Sequence, residues 1–145
     1  MTSDTQKNIV FKISDCLISL PMDNVLKVLN TPSNESGWNA MGLLQIGDYT
    51  IRIVDLHQQL NPNYDTDSTN LQSFLVITNP IEGNLFGIIV DEPPNLIELN
   101  TDLIRKLPKY NRRLPMMSHA AVLQENEKKT TIFMLDLFEL FNPVG

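Results

Sequence analysis

Phe74-Leu75-Val76-Ile77-Thr78, then Asn79-Pro80-Ile81-Glu82-Gly83-Asn84, then Leu85-Phe86-Gly87-Ile88-Ile89-Val90: two almost wholly apolar arms around a turn-rich middle decide how this chain folds. The arms are β-branched and aromatic and too short for helices, so they read as strands. Pro80 and Gly83 supply turn chemistry between them, which makes the pair a hairpin. Apolar residues at successive positions, rather than alternate ones, predict central strands covered on both faces.

Working outward, the same grammar repeats. Toward the N-terminus, Ile9 to Ile13 and Cys16 to Leu20 flank Ser14-Asp15 and read as a hairpin, ended by Pro21, which cannot donate to a ladder. Met22, Val25 and Val28 recur every third residue, which predicts one or two helical turns. Thr31 to Asn39 is a polar loop. Gly42 to Ile46 and Tyr49 to Val54 form another hairpin across Gly47-Asp48, where glycine provides the positive φ of a tight turn. Asn61 to Asn70 is the longest loop. Beyond the central hairpin, Pro93-Pro94 interrupts, Leu96 to Leu99 is a short strand, and Thr101-Asp102 opens a helical turn carrying Leu103, Ile104 and Leu107. Ala120 to Leu123 and Thr131 to Leu135 pair across the charged turn from Glu125 to Lys129.

One pattern occurs twice. Ile53-Val54-Asp55-Leu56-His57-Gln58-Gln59-Leu60 and Met134-Leu135-Asp136-Leu137-Phe138-Glu139-Leu140-Phe141 share the form strand, Asp, Leu, short apolar-faced helix. Each Asp suits a helix cap, with Gln58 or Glu139 three residues on as in a capping box. Two strand-to-helix corners, each following hairpins, predict two similar halves. Short strands with turns about every eight to twelve residues favour barrels, so the expected fold is mainly β, two small barrels with short helices at the corners.

Composition limits the function. The 145 residues are 42% hydrophobic, enough for one domain or two small ones sharing a core. A net charge of −6 argues against a protein that neutralises phosphates, and the basic grouping Lys106, Lys109, Arg112 and Arg113 is short and holds Pro108. A single cysteine, Cys16, excludes an internal disulfide framework and a cysteine zinc cluster. No apolar run is long enough for a membrane helix and the polar opening is not a signal peptide, so a cytoplasmic protein is expected; the sequon Asn34-Glu35-Ser36 then means nothing.

A search for reactive constellations finds none. His57 falls in the first turn of a capped helix and is read as solvated. Ser118 and His119, as neighbours on a strand, point to opposite faces, which prevents direct proton transfer. Asp91-Glu92 and Asp65 with Asp67 are read as solvated turn carboxylates rather than a metal site. Gly83 and Gly87 lack the spacing of a phosphate loop. Cys16 is read as a small apolar side chain, Trp38 as a core plug or contact residue, and Met116-Met117 as packing or adaptable surface. No cofactor is expected. A compact barrel without catalytic apparatus works by presenting surfaces. The competing class, a small-barrel ligand or nucleic-acid binder, needs a basic groove with exposed aromatics, and aromatics are only 7% here.

The motif order resembles the CheW-like family of chemotaxis coupling proteins. Ile18-Ser19-Leu20-Pro21-Met22 with Val25 and Val28 looks like its opening; Gly42 to Asp48 followed by Ile53-Val54-Asp55-Leu56 is similar to its Gly…Asn-Leu-Arg-Gly…Val-Asp-Leu centre; Gly87 to Asp91, then Ile97 and Leu107-Pro108, looks like its second-half signature, and Leu135-Asp136 fits its close. The resemblance covers roughly Asn8 to Phe141. It implies a single domain over 1–145, made of two SH3-like five-stranded β-barrels sharing a core and divided near residues 61–72. It also implies a non-enzymatic adaptor that couples a methyl-accepting chemoreceptor tip to the regulatory domain of a CheA-type histidine kinase, with recruitment to membrane-associated receptor arrays. By the same resemblance Val25, Lys27, Val28, Gln45, Ile46, Gly47 and Asp48 are receptor-facing candidates, and Gly87, Ile89, Val90 and Asp91 are kinase-facing candidates. The chain departs from the pattern at Lys27, where the family has Glu, at Gly47 and Asp48, where it has Arg-Gly, and at Arg52, where it often has Pro. An acid and a base are lost together, which implies a rewired surface and an atypical receptor or motility system.

Overall fold

The computed structural model describes residues 4–30, 43–60, 74–80 and 83–141, and those residues are dominated by strands. In chain order they are β1 (Thr5–Ile13), β2 (Cys16–Pro21), β3 (Val25–Asn30), β4 (Leu43–Ile46), β5 (Tyr49–Val54), α1 (His57–Leu60), β6 (Phe74–Thr78), β7 (Leu85–Val90), β8 (Asn95–Asn100), β9 (Ile104–Lys106), β10 (Met117–Glu125), β11 (Lys128–Leu135) and α2 (Leu137–Phe141). Single 3-10 turns occupy Met22–Asn24, Thr101–Leu103 and Lys109–Asn111.

The strands divide into two units. One combines Met1–Met22 with Pro94–Gly145, and the other is the contiguous Asp23–Pro93. The first unit carries a six-stranded sheet in the order β8-β1-β2-β11-β10-β9; the second carries a five-stranded sheet in the order β3-β6-β7-β5-β4. The mainly-β architecture with corner helices is therefore the one observed, with one strand more in the first sheet than expected. The expected division near residues 61–72 lies outside the described residues, as do the Thr31 to Asn39 and Asn61 to Asn70 loops, Trp38 and the Asp65 and Asp67 pair.

Each unit has its own apolar cluster. Val10, Leu99, Ala121 and Ile132 form that of the first, and Leu44, Ile51, Leu75 and Ile77 that of the second. The predicted hairpins form: Phe11 pairs with Ile18, Ile46 with Tyr49, Leu75 with Ile89, and Ala121 with Ile132. The β4–β5 turn has Gly47 at φ +58, and the β10–β11 turn tightens to Asn126 and Glu127, both at positive φ. Strands β6 and β7 are interior strands of their sheet, and Leu75, Val76 and Ile77 are buried on both faces, as their continuous apolar runs require.

Each sheet also contains one parallel pair, β2 with β11 and β5 with β7. The two strands that lead into the corner helices, β11 and β5, are members of these pairs. Both copies of the strand-Asp-helix pattern therefore follow a strand that belongs to a parallel pair.

Two local expectations fail. Met22, Val25 and Val28 do not ride on a helix: only Met22–Asn24 turns, and Val25 begins the edge strand β3. β-branched residues in a short run favour extended backbone, and spacing alone cannot distinguish the two. The helical turn after Asn100 likewise stops at Leu103, because Ile104 pairs with Ala121 on β10.

Candidate functional site

The residues singled out by the sequence fall mainly on the second unit, at two places. The first is β3. Its pairing with β6 slips between Val25 and Lys27, so Leu26 is an extra residue with no partner across the ladder. A bulge of this kind breaks the strict alternation of faces. Leu26, Lys27 and Val28 are consequently exposed in succession, Leu26 by 56% and Val28 by 39%, while Val25 is half-buried. Two large apolar side chains beside a lysine on an edge strand form an outward-facing apolar stripe.

The β4–β5 hairpin supplies the rest of the first set. Gln45 is exposed, and its side chain is held by the turn: Nε2 donates to the Gly47 carbonyl at 3.0 Å, and Oε1 accepts from the Thr50 hydroxyl at 2.7 Å. Gly47 and Asp48 are both exposed; the side chain of Ile46 lies outside the described residues. Although β3 and β4 sit at opposite ends of the sheet order, the sheet curls. Leu26, Lys27 and Leu29 from β3 face Tyr49 and Ile51 from β5 across an apolar groove of about 510 Å³. Tyr49, 65% exposed, stands at its lip. Of the receptor-facing candidates Lys27 lines this groove, and the hairpin contributes Tyr49 and Ile51 to it.

The second set is mostly interior. Gly87 and Val90 are buried, and Ile89 is half-buried against the Leu75 cluster. A Cβ on Gly87 would stand 2.9 Å from both Cγ and Cδ1 of Leu75, so this glycine exists for close strand packing. Asp91 alone of the four sends a polar group toward the surface.

Asp91 is also where the sequence reading needs correction. His57 is not solvated: it is 1% exposed, and its ring lies between two carboxylates, Nδ1 2.6 Å from Asp55 Oδ1 and Nε2 2.5 Å from Asp91 Oδ1. Asp91 is accordingly a partner of a buried ring, not a solvated turn carboxylate. Burial disfavours charge on both His57 and Asp55. On His57 the hydrogen bonds to Asp55 and Asp91 and their negative charges outweigh burial and raise its pKa. On Asp55 the hydrogen bonds from the His57 ring and backbone N–H, with the ring's charge, outweigh burial and lower it.

The two corner aspartates also differ in detail. Asp136 caps α2, accepting from the Glu139 N–H at 3.3 Å, while its own carbonyl takes the Leu140 N–H at 2.9 Å. In α1 the equivalent carbonyl is that of Leu56, and Asp55, one residue earlier, bonds the His57 N–H at 3.0 Å. The Asp136 N–H donates to the Met116 carbonyl at 2.8 Å, and the Glu139 carboxylate meets Arg112 at 3.4 Å.

Three features of the first unit complete the picture. Arg112, part of the short basic grouping of the sequence, has a side chain only 7% exposed, with Nε donating to the Leu107 carbonyl and Nη1 to that of Pro115, each at 3.1 Å. Ser118 and His119 do not point to opposite faces. A bulge between Met117 and His119 lets Ser118 Oγ and His119 Nδ1 approach to 2.8 Å. Cys16 is buried as expected; burial, and less so Asp15, pushes its thiol pKa up, against the lowering by Arg113, whose Nη1 lies 2.8 Å from Sγ. Among the described residues no cluster of three or more His, Cys, Asp or Glu is arranged to hold a metal ion, and no helix is long and apolar enough to cross a membrane.

Comparison with known proteins gives a consistent result. The family model of the CheW-like domain matches residues 7–144. Among solved structures, the scaffolding protein TtCheW from Thermoanaerobacter tengcongensis superposes with a TM-score of 0.71 at 21% identity, over 98% of this chain and 96% of that one. No curated protein matches the chain in sequence.

Proposed function

This chain belongs to the CheW-like domain family, and from that premise we propose that it is a non-enzymatic adaptor of chemotaxis-type signalling. It works in the cytoplasm, coupling a chemoreceptor tip to the regulatory domain of a CheA-type histidine kinase. The observation that carries the reading is the family match across almost the whole chain. The exposed apolar stripe of β3 facing the β4–β5 hairpin supports it, because an amphipathic receptor helix needs such a groove.

In this reading the receptor-facing surface is Val25, Lys27, Val28, Gln45, Ile46, Gly47 and Asp48, with Leu26 and Tyr49 added by their exposure. The kinase-facing stretch Gly87, Ile89, Val90 and Asp91 contributes through its surface end at Asp91. Lys27, Asp48 and Arg52 change the charge pattern against a standard partner, which fits an atypical receptor or a different motility system. Like-charge or unpaired charge at an interface selects partners more than it strengthens binding.

Calorimetric titration tests both halves. The protein is expected to bind a CheA-type regulatory domain and to bind a standard receptor hairpin weakly. Leu26→Glu, at an exposed position, is expected to weaken receptor binding at least tenfold with little change in unfolding midpoint. No binding to any CheA-type regulatory domain would remove the adaptor reading, and tight binding to a standard tip would remove the rewired surface.

A further inference from the structure

Strands β5 and β7 run parallel, with Ile53 beside Gly87 and Val54 beside Ile88, so both leave the sheet at the same end. Each is followed there by an aspartate, Asp55 after Val54 and Asp91 after Val90. Two carboxylates at one end of a sheet repel each other unless a cation separates them. The His57 ring occupies that space, with a nitrogen 2.6 Å from one carboxylate and 2.5 Å from the other.

The protonation state follows from donor counting. A neutral imidazole has one N–H and one lone pair, so it can donate to only one aspartate and would set its lone pair against an oxygen of the second. Only the imidazolium, with two N–H groups, satisfies both contacts. We propose that Asp55, His57 and Asp91 form a proton-operated clasp, closed while the imidazolium bridges the two strand ends and opened when the ring loses its proton.

The clasp matters because α1 is four residues long and cannot hold its own shape. Its anchors are the buried Leu56 and Leu60 and the bonds made by His57. Among the described residues, the charged groups facing the ring are Asp55, from the β5–α1 corner, and Asp91, from the end of β7. Opening releases the Asp91 carboxylate from the ring and loosens both the corner and the last residues of β7. The raised His57 pKa agrees in sign: such a group stabilises the fold fully below its unfolded value of about 6.5, and this stabilisation is lost as pH rises through the folded value.

The test is a pH titration of the ring nitrogens by ¹⁵N NMR on the full chain. His57→Gln and Asp91→Asn are run alongside, and His119→Gln assigns the two histidines. Expected are two protonated ring nitrogens on His57 at pH 6 and a midpoint above about 6.5. Asp91→Asn should lower that midpoint. Amide exchange at 88–91, corrected for base catalysis, should accelerate by up to about tenfold per pH unit through the transition in the parent, since one proton is linked to opening; His57→Gln should abolish that excess slope. A midpoint at or below that of free histidine, a single ring N–H at pH 6, or an unchanged midpoint in Asp91→Asn would overturn the clasp. If His57→Gln does not fold, the comparison of parent with Asp91→Asn decides alone.

Discussion

Replacing Gly87 with alanine adds one methyl group where the strand packs directly against Leu75. The new Cβ would lie 2.9 Å from Leu75 Cγ and Cδ1 and 3.1 Å from Cδ2, where ordinary contact begins near 3.4 Å. The obstacle is the branch point of the side chain rather than its tip, and Leu75 is 0% exposed in its sheet, so it has no open space to swing into. Two effects oppose each other. Gly→Ala stiffens the unfolded chain, a gain of about 0.4–1 kcal/mol where the site accepts it. Overpacking a filled core costs roughly 1–3 kcal/mol, and here it wins because the whole Leu75 side chain or the β6–β7 spacing must shift. The expected net loss is about 1–2 kcal/mol. With a urea slope of roughly 2 kcal/mol/M, the unfolding midpoint falls by about 0.5–1 M. The double-mutant cycle isolates the cause. Leu75→Ala alone costs about 2–5 kcal/mol, yet it removes the three atoms involved, so adding Gly87→Ala in that background should cost less than about 0.5 kcal/mol. An unchanged midpoint for Gly87→Ala, or the same loss in both backgrounds, would refute the packing argument.

Other outcomes follow from the same geometry. Arg112→Gln strands the Leu107 and Pro115 carbonyls and the Glu139 carboxylate, so chemical denaturation should register a loss of roughly 2–4 kcal/mol, which Arg112→Lys restores only in part because a point charge cannot span the three acceptors. Cys16 should react with a thiol reagent at least a hundredfold more slowly in the native protein than in urea, since it is buried and its thiol resists ionisation. Asp55 has a lowered pKa, so its contribution is present above its unfolded value of about 3.9 and disappears as pH falls through the folded one; Asp55→Asn should flatten this acid limb in a pH series of melting temperatures.

Much of the fold was legible because hairpins are local. A run of β-branched residues, a Gly or Asn turn and a second run specify their own pairing, and β1–β2, β4–β5, β6–β7 and β10–β11 all form as read. Parallel pairs carry no local turn signal, so β2 with β11 and β5 with β7 were invisible. That blindness hid His57: Asp55 and Asp91 meet it only because β5 and β7 run side by side. The signal was present in the matching strand ends, Val54-Asp55 and Val90-Asp91, but it acquires meaning only from the pairing. Bulges are equally silent in sequence, and they decided both the exposure of Leu26 and the meeting of Ser118 with His119. The anchoring role of Arg112 was likewise invisible, because its backbone acceptors leave no compositional trace.

The division of the chain has a consequence for synthesis. The Asp23–Pro93 unit is contiguous, so all of its described strands have been synthesised before the segment from Pro94 that completes the other unit. The other unit cannot close until β11 arrives to lie beside β2, leaving Leu17, Ile18 and Ser19 without their final neighbour in the meantime. Long-range closure of this sort is slow and exposes sticky strands. The contiguous unit therefore matures first, while β2 waits for β11.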